Sequence, residues 1–213
     1  MGNAFVIFDL DGTISDPAVG IGRSINFALE SFGYTPIQES EVSQFIGPPL
    51  DQVFVSIVGD SSSERISGLA AKYRERYADV GYSENTLYPG IAEALQQLGN
   101  AGSPLGLCTS KQANFADSIL RLFGLRHHFA FISGGGSGVT KDNQLSSLLS
   151  SGTIAKSSTM VGDRAVDVLA AKSNGLRSAG VLWGHSSHAE LQGASPDLLL
   201  ASPHELSAFA NAA

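Results

Sequence analysis

The sequence has almost no cysteine, no cluster of basic residues and no long hydrophobic run, and each absence excludes a class of protein. Cys108 is the single cysteine among 213 residues, so the chain cannot form an internal disulfide. Lysine and arginine are scattered and number 13 against 20 acidic residues, which argues against the basic surface that nucleic acids and anionic membranes require. No apolar run approaches the roughly 18 residues of a membrane-spanning helix. We therefore expect small molecules as partners, with no nucleic acid and no membrane.

The amino-terminal segment and the overall composition narrow the class further. The start of the chain lacks a basic region followed by an uninterrupted apolar stretch, so a cytoplasmic location is expected. With 43% hydrophobic residues, the chain is long enough for one core that carries a smaller inserted module. The sequence contains no internal repeat and no low-complexity tract.

Six short apolar segments alternate with helical patterns along the chain. The segments are AFVIFD at 4–9, PLGLCT at 104–109, FAFISG at 129–134, TMVGD at 159–163, AGVLWG at 179–184 and DLLLA at 197–201. Between them, IAEALQQLG, FADSILRLFG and AVDVLAAKSNG place apolar residues at i, i+3 and i+4 and end in glycine, a common helix stop. Strands that are apolar on both faces and separated by helices are typical of covered parallel sheets. The sequence therefore predicts an α/β fold with a doubly wound parallel sheet.

The stretch from about Pro17 to Asn85 interrupts this alternation, because it contains helical patterns and no convincing strand. One apolar stripe comprises Ile21, Ile25, Ala28, Leu29 and Phe32, and IGPPLDQVFVSIVG and ERISGLAAKYRERYADVG predict two further helices. We therefore predict a core domain of residues 1–15 and 86–213, and a helical domain of residues 16–85 inserted after the first strand. This insertion point lies at the carboxyl end of the strand, where open α/β sheets bind their ligands.

Asp9 and Asp11 directly follow the first apolar segment, in FDLDGT. Residues i and i+2 of an extended strand point to the same face, so both carboxylates can converge just beyond the strand end. Carboxylates held this close repel each other unless a proton or a cation lies between them. The pair therefore indicates a site for a hard cation such as Mg²⁺, or a nucleophile with an acid. The alternative is a simple Asp-Gly turn, although the helical pattern after Gly12 argues against a hairpin.

Polar residues also follow later segments. Thr109 and Ser110 offer hydroxyl and N–H groups at a strand-to-helix junction, which suits either an anion or a helix N-cap. Asp163 closes the fourth segment, and Asp167 follows four residues later. If a helix begins here, this spacing places both carboxylates on one face at its N-terminus, where they bind a ligand or complement the helix dipole. Lys141 lies where another helix begins, and its alternative is an ordinary surface lysine.

All of these residues fall at the carboxyl ends of predicted parallel strands or in the loops just beyond them. The four aspartates carry a charge of −4 when ionised, and Lys141 offsets one unit of it. A phosphate dianion cannot enter such a site without a divalent cation, whereas hydroxyl and N–H donors at Thr109 and Ser110 suit phosphoryl oxygens. The set therefore predicts metal-dependent phosphoryl chemistry with Mg²⁺ as the cofactor.

The motifs DLDGT, TSK, a lone lysine and GDRAVD, in this order, closely resemble those of the haloacid dehalogenase superfamily of phosphohydrolases over essentially the whole chain. YPGI at 88–91, IGPPL at 46–50 and AGVLWG are similar to the phosphoglycolate-phosphatase-like group, which includes 5'-nucleotidase-like members. The resemblance implies a Rossmann-like core with a small helical cap inserted after the first motif. It also implies an Mg²⁺-dependent hydrolase of small phosphorylated metabolites.

The resemblance further implies roles for individual residues. Asp9 would attack phosphorus and form an aspartyl-phosphate, and Asp11 would protonate the leaving oxygen and then activate water. Thr109 would hold a phosphoryl oxygen together with Ser110, and Lys141 would orient Asp9 and neutralise charge. The Mg²⁺ ligands would be Asp9, the backbone carbonyl of Asp11 and Asp163, with Asp167 acting through water or as a supporting partner. A general acid two residues after the nucleophile favours phosphate esters over halides, because a halide leaves without a proton.

Substrate contacts are expected in the cap, where Arg23 and the IGPPL loop are candidates; their alternatives are a solvated arginine and a structural turn. His185 and His188 are interpreted as part of a polar loop, because no cysteine or further histidine accompanies them. Three alternative functions remain open. They are a 5'-nucleotidase, a phosphotransferase such as a sugar-phosphate mutase, and a silent phosphate-binding regulator.

Overall fold

The computed structural model describes residues 3–136 and 138–210, and the chain divides into two compact units. Unit 1 comprises Met1–Asp16 and Leu87–Ala213, and unit 2 comprises Pro17–Thr86. These boundaries differ by one residue from the predicted limits at 15/16 and 85/86. Strands β2 (Ser15–Asp16) and β3 (Thr86–Leu87) lie where the chain passes from one unit to the other, and the sequence did not predict them.

Unit 1 contains a six-stranded parallel sheet in the order β5-β4-β1-β6-β7-β8. Its strands are β1 (Val6–Phe8), β4 (Leu105–Cys108), β5 (Phe129–Ser133), β6 (Thr159–Gly162), β7 (Arg177–Val181) and β8 (Leu198–Leu200). Every residue of β1, β4 and β6 is buried, as expected for strands covered on both faces. The six predicted apolar segments are therefore the six strands, and the predicted fold class is confirmed.

The helices of unit 1 bury the apolar stripes that the sequence pattern predicts. They are α4 (Ile91–Asn100), α5 (Ala113–Leu122), α6 (Lys141–Ser150), α7 (Ala165–Ser173) and α8 (His188–Ala194), with 3₁₀ turns at Arg126–His128 and Pro203–Phe209. In α4, for example, Ile91, Leu95 and Leu98 are fully buried. One core cluster joins Ile7, Cys108 and Met160 to side chains of α6 and α7, so these helices are anchored on the centre of the sheet.

Unit 2 is helical over its described residues up to Asn85. It consists of α1 (Ala18–Ser31), a 3₁₀ helix (Glu39–Phe45), α2 (Leu50–Val58), α3 (Ser63–Asp79) and a 3₁₀ turn (Gly81–Glu84). Helix α1 packs against α3 through the predicted stripe. Phe32 lies beyond the helix end and is 43% exposed, but its ring still lies against Gly68 of α3. A side chain at Gly20 would place its Cβ 2.0 Å from the carbonyl oxygen of Gly81, so this contact requires glycine. No helix in the described ranges of either unit is long and apolar enough to cross a membrane.

Candidate active site

Three buried carboxylates converge at the carboxyl edge of the sheet. Asp9 follows β1, Asp163 follows the neighbouring strand β6, and Asp167 lies in the first turn of α7. The two strands run parallel, and the Asp9 N–H donates to the carbonyl of Val161 at 2.9 Å, which holds their ends side by side. One carboxylate oxygen from each aspartate lies within 4.8 Å of the other two. Asp163 follows the strand end, as predicted, but α7 begins only at Ala165, so Asp163 converges with Asp167 from the strand end and not from a shared helix face.

Lys141 provides the positive charge beside these acids. Its Nζ lies 2.9 Å from Asp9 Oδ2 and also donates to Asp167 Oδ1, and its side chain is 1% exposed. Burial alone would lower the pKa of the amine, but the charges of Asp167 and Asp9 outweigh it and raise that pKa above its ordinary value. Lys141 is the first residue of α6, as predicted, and it is not the surface lysine of the alternative interpretation.

The oxygens of Asp163 and Asp167 are held differently. Asp163 Oδ2 accepts the His185 N–H at 2.8 Å, whereas its Oδ1 is buried without a hydrogen-bond partner among the described residues. Burial, reinforced by the charges of Asp167 and Asp9, raises the pKa of Asp163 to about 8. Asp167 Oδ2 accepts the Arg164 N–H at 3.0 Å, and burial raises the pKa of this carboxyl to about 6 despite the opposing effect of Lys141. A cation bound between the two carboxylates would lower both pKa values.

Asp11 is not one of the three converging carboxylates, and its own carboxylate binds a second lysine. Its Oδ2 lies 2.9 Å from Lys111 Nζ, and its Oδ1 is buried with no hydrogen-bond partner in the described part of the chain. Burial raises the pKa of Asp11, and Lys111 opposes the shift. The predicted charge balance was therefore wrong, since four carboxylates and two ammonium groups carry a formal charge of −2. The second ammonium group belongs to Lys111, the lysine of the TSK motif, but the sequence prediction considered only the hydroxyl and N–H groups of that motif.

Thr109 and Ser110 follow β4 and do not cap the next helix. Helix α5 begins at Ala113 with Gln112 as its N-cap, so the capping alternative is wrong. Thr109 is buried, and its Oγ1 accepts the Lys111 N–H at 3.2 Å, whereas Ser110 is exposed. Thr109 and Ser110 therefore leave hydroxyl groups beside Lys111 that are not used to cap a helix.

Gln144 is a residue that the sequence analysis missed. It lies one helical turn after Lys141, and its Nε2 donates to the carbonyl of Thr109 at 3.1 Å and to the carbonyl of Ser133 at 3.0 Å. These bonds tie the ends of β4 and β5 to the helix that carries Lys141. The helical spacing from Lys141 was the only available signal, because the partners are backbone atoms.

Two glycines allow the acid-bearing segments to approach each other. Gly12 has a φ of +81°, and a Cβ there would lie 2.2 Å from Asp163 Oδ2. A Cβ at Gly162 would lie 2.2 Å from Asp167 Oδ2. The Asp-Gly dipeptide of the first motif is thus a turn and also a close approach to Asp163, so the two interpretations of DLDG do not exclude each other.

Neither histidine after β7 belongs to the carboxylate group, and the predicted polar loop contains His185 but ends before His188. His185 Nε2 lies 3.3 Å from Asp16 Oδ1, and burial lowers the pKa of its imidazole against the opposing charges of Asp16 and Asp11. His188 is the exposed first residue of α8.

Arg23 lies on α1 in unit 2, and its side chain is 64% exposed. Its Nη1 lies 2.7 Å from Glu84 Oε1, and Arg76 makes two further hydrogen bonds to the same carboxylate. These arginines lower the pKa of Glu84, with the Arg76 hydrogen bond as the largest cause. Arg23 is therefore an exposed ion-pair partner in its own unit, and its predicted contact with substrate stays a prediction.

Replacing Arg23 with alanine separates these two roles. An exposed ion pair contributes about 0–1 kcal/mol, so the free energy of unfolding should change little, especially because Arg76 still binds Glu84. If Arg23 contacts substrate, the KM for the best substrate should rise several-fold with kcat nearly unchanged. Steady-state kinetics and urea unfolding measure the two effects, with Arg65→Ala on α3 as the matched control. An unchanged KM would leave Arg23 as a surface residue.

A model of the haloacid dehalogenase-like hydrolases matches residues 6–181. This range covers most of the 213 residues, so the chain belongs to that family. The predicted family is therefore confirmed, and so is the predicted class of enzyme, a phosphatase.

Several curated relatives align with most of this chain. The chain is 38% identical over 195 residues to the 5'-nucleotidase of Pseudomonas aeruginosa, covering 90% of this chain and 88% of that protein. It is 31% identical over 212 residues to the phosphoglycolate phosphatase of Vibrio parahaemolyticus, covering 94% and 93%. It is also 36% identical over 186 residues to the tyrosine-protein kinase PtkA of Mycobacterium tuberculosis, covering 84% of this chain but 62% of that protein. A putative phosphatase from Clostridium difficile superimposes with a TM-score of 0.89 at 34% identity, covering 99% of each chain.

Proposed function

We propose that this chain hydrolyses a small phosphorylated metabolite through an aspartyl-phosphate on Asp9, with Mg²⁺ as cofactor, in the manner of a phosphoglycolate phosphatase. One observation carries the proposal: the buried carboxylates of Asp9, Asp163 and Asp167 lie within 4.8 Å of one another, with Lys141 bound to two of them. Such a site at the carboxyl edge of a parallel sheet suits a phosphoryl group and its cation.

The donor set fits Mg²⁺, which prefers carboxylate oxygens, waters and phosphate oxygens. Asp163 Oδ1 is a buried oxygen without a hydrogen-bond partner among the described residues, so a cation would supply the interaction it lacks. Asp9 and Asp163 are the proposed side-chain ligands and the backbone carbonyl of Asp11 is the third. Asp167, whose oxygens accept from Lys141 and Arg164, is proposed to act through water or as a supporting partner. When bound, Mg²⁺ polarises the phosphoryl group and neutralises the charge that develops on it.

In the first step, a carboxylate oxygen of Asp9 attacks phosphorus, the bond between phosphorus and the ester oxygen breaks, and the leaving oxygen takes a proton from Asp11. Lys141 holds Asp9 Oδ2 in place and balances the negative charge of the transferring group. Burial favours the protonated form of Asp11, and its buried Oδ1, which has no partner in the described ranges, is the atom available for that proton.

In the second step, Asp11 accepts a proton from water, the water oxygen attacks phosphorus, and inorganic phosphate leaves as Asp9 is regenerated. Lys111 favours the ionised form of Asp11 that this step requires. Thr109 and Ser110 supply hydroxyl donors for the phosphoryl oxygens. Asp9 and Asp11 thus act in both steps. Asp9 bonds to phosphorus and is then released, whereas Asp11 acts first as the acid and then as the base.

The partner of this site is proposed to be a small metabolite in the cytoplasm, with neither nucleic acid nor membrane involved. The net charge of −7 and the scattered basic residues support a small substrate that arrives with a cation. Unit 2 is proposed to be the cap that selects it. A 5'-nucleotidase is the second candidate, because the relative with that name is more similar to this chain than the phosphoglycolate phosphatase is.

A hydrolysis panel tests the proposal and separates these candidates. Phosphoglycolate, nucleoside monophosphates, sugar phosphates and phenyl phosphate are compared by release of inorganic phosphate, with Mg²⁺ and with EDTA. We expect Mg²⁺-dependent release that EDTA stops and added Mg²⁺ restores, with the highest kcat/KM on phosphoglycolate. A preference for nucleoside monophosphates would favour the 5'-nucleotidase.

Two other results would contradict hydrolysis itself. Consumption of ester without free phosphate, with the group recovered on a second substrate, would establish a phosphotransferase such as a sugar-phosphate mutase. Binding of phosphate esters without turnover of any of them would leave a silent phosphate-binding regulator.

Undiminished turnover in EDTA would exclude the metal site.

A further inference from the structure

A short loop after β7 contacts both segments that carry the catalytic acids. The loop consists of Trp183, Gly184 and His185, and we call it the orienting loop. The indole Nε1 of Trp183 donates to the carbonyl of Thr13 at 3.0 Å, and the backbone N–H of His185 donates to Asp163 Oδ2 at 2.8 Å. The loop therefore joins the segment after β1 to the aspartate after β6, although it belongs to neither.

Gly184 brings the loop closer to both segments than any other residue could. A Cβ at this position would lie 2.3 Å from the carbonyl oxygen of Gly12 and 2.4 Å from the Cβ of Asp163. Neither atom is the flexible end of a side chain, so the backbone would have to move to make room. His185 adds a third contact to the same region, since its Nε2 lies 3.3 Å from Asp16 Oδ1.

The contact with His185 divides the two oxygens of Asp163 between two roles. Oδ2 is occupied by the backbone N–H, and Oδ1 is buried without a hydrogen-bond partner in the ranges that the structure describes. A carboxylate held by one oxygen cannot rotate freely, so the other oxygen keeps a fixed position for a cation. Groups that hold a metal ligand from behind in this way typically change metal affinity by about 10- to 100-fold when they are altered.

We propose that Trp183, Gly184 and His185 are positioning residues that orient Asp163 for Mg²⁺ through the Trp183 indole N–H, the close approach at Gly184 and the His185 backbone N–H, without touching the metal or the substrate. The inference rests on the proposed Mg²⁺ site. It predicts that displacing the loop weakens Mg²⁺ binding even in the absence of substrate.

The test compares Gly184→Ala with Gly193→Ala in the full-length protein. A Cβ at Gly193, on α8, would have no described atom within 4 Å, so its substitution should leave Mg²⁺ binding unchanged. Calorimetric titration with Mg²⁺ should show affinity about 10- to 100-fold weaker for Gly184→Ala. Melting temperatures with and without Mg²⁺ separate positioning from a merely structural role. A structural defect would lower both temperatures equally, whereas loss of orientation should lower the temperature more when Mg²⁺ is present.

Trp183→Phe provides a second variant, which carries the test alone if Gly184→Ala does not fold. It keeps an aromatic ring but removes the N–H that binds Thr13, and Mg²⁺ affinity should fall several-fold. Trp183 is the only tryptophan, so its fluorescence in the wild type should also change over the Mg²⁺ concentrations that calorimetry identifies. Wild-type affinity in both variants would overturn the inference while leaving the proposed function intact. No Mg²⁺ binding by the wild type would contradict the proposed function and, with it, the inference.

Discussion

Asp9→Asn should reduce phosphate release by roughly 10⁴- to 10⁶-fold, the scale seen when an enzyme loses its nucleophile. Asparagine keeps the shape of the side chain but lacks the anionic oxygen that attacks phosphorus. It also retains an oxygen that can accept from Lys141, whose Nζ lies 2.9 Å from Asp9 Oδ2, so the fold should persist. Initial rates on the best ester of the panel, at saturating Mg²⁺, measure the effect.

The control for this variant is Asp51→Asn, the same chemical change at an exposed position on α2. Its rate should equal that of the wild type. Asp9→Asn activity within tenfold of the wild type, in a preparation free of wild-type enzyme, would exclude Asp9 as the nucleophile. A circular dichroism spectrum and melting temperature for each variant exclude loss of folding as the cause.

Lys141→Met should affect both stability and catalysis. Methionine fills a similar volume but leaves the buried carboxylates of Asp9 and Asp167 without their cation. Removing one partner of a buried ion pair costs about 3–5 kcal/mol, so the free energy of unfolding without Mg²⁺ should fall by that amount at pH 7. Phosphate release should fall by roughly 10²- to 10³-fold, because a positive group beside the transferring phosphoryl is lost.

The loss of stability caused by Lys141→Met should depend on pH in a definite direction. The pKa of Lys141 is raised in the folded protein, so its contribution to stability is fully present at pH 7 and is lost only as the solution becomes strongly alkaline. In the variant, acid should reduce the deficit, because burial raises the pKa of Asp167 to about 6 and this carboxyl is protonated more readily once its ammonium partner is lost. Urea unfolding at pH 5 and pH 7 measures it, with Lys72→Met on α3 as the exposed control. Equal stability of Lys141→Met and the wild type would contradict the buried ion-pair network.

The sheet could be predicted from the sequence because its strands are buried on both faces and contain few polar residues. LGLC in β4 and TMVG in β6 are wholly buried, so their short, mainly apolar sequences predict strands that are covered on both faces. The 3₁₀ helix Glu39–Phe45 was missed, because a tight helix with one buried residue, Val42, has no periodic apolar stripe. Phe32 lies one residue beyond the end of α1, yet its spacing correctly places it in the apolar stripe, because its ring lies against Gly68 of α3.

The positions of the acids were also predictable, since parallel strands end at one edge and the motifs follow the strand ends. The contacts among them were not. The pair between Asp11 and Lys111 joins loops that follow different strands, and sequence spacing does not encode the distance between them. The N–H of His185 binds Asp163 as any non-proline residue could, so the identity of the side chain carried no information. Gln144 was overlooked for a different reason, because its side-chain amide donates to two backbone carbonyls and the sequence does not indicate such acceptors.

The central claim is that a phosphoryl group becomes covalently bound to Asp9, and trapping that group tests it most directly. Asp11→Asn is mixed with an activated aryl phosphate and Mg²⁺, because the aryl leaving group needs no proton while breakdown of the intermediate is slowed. The reaction is quenched in acid, digested and analysed by mass spectrometry. We predict one added phosphoryl group on the peptide that contains residues 5–16, located on Asp9 by fragmentation and absent from the Asp9→Asn protein. Turnover without any phosphorylated peptide, or a phosphoryl group on another residue such as His185, would contradict the mechanism.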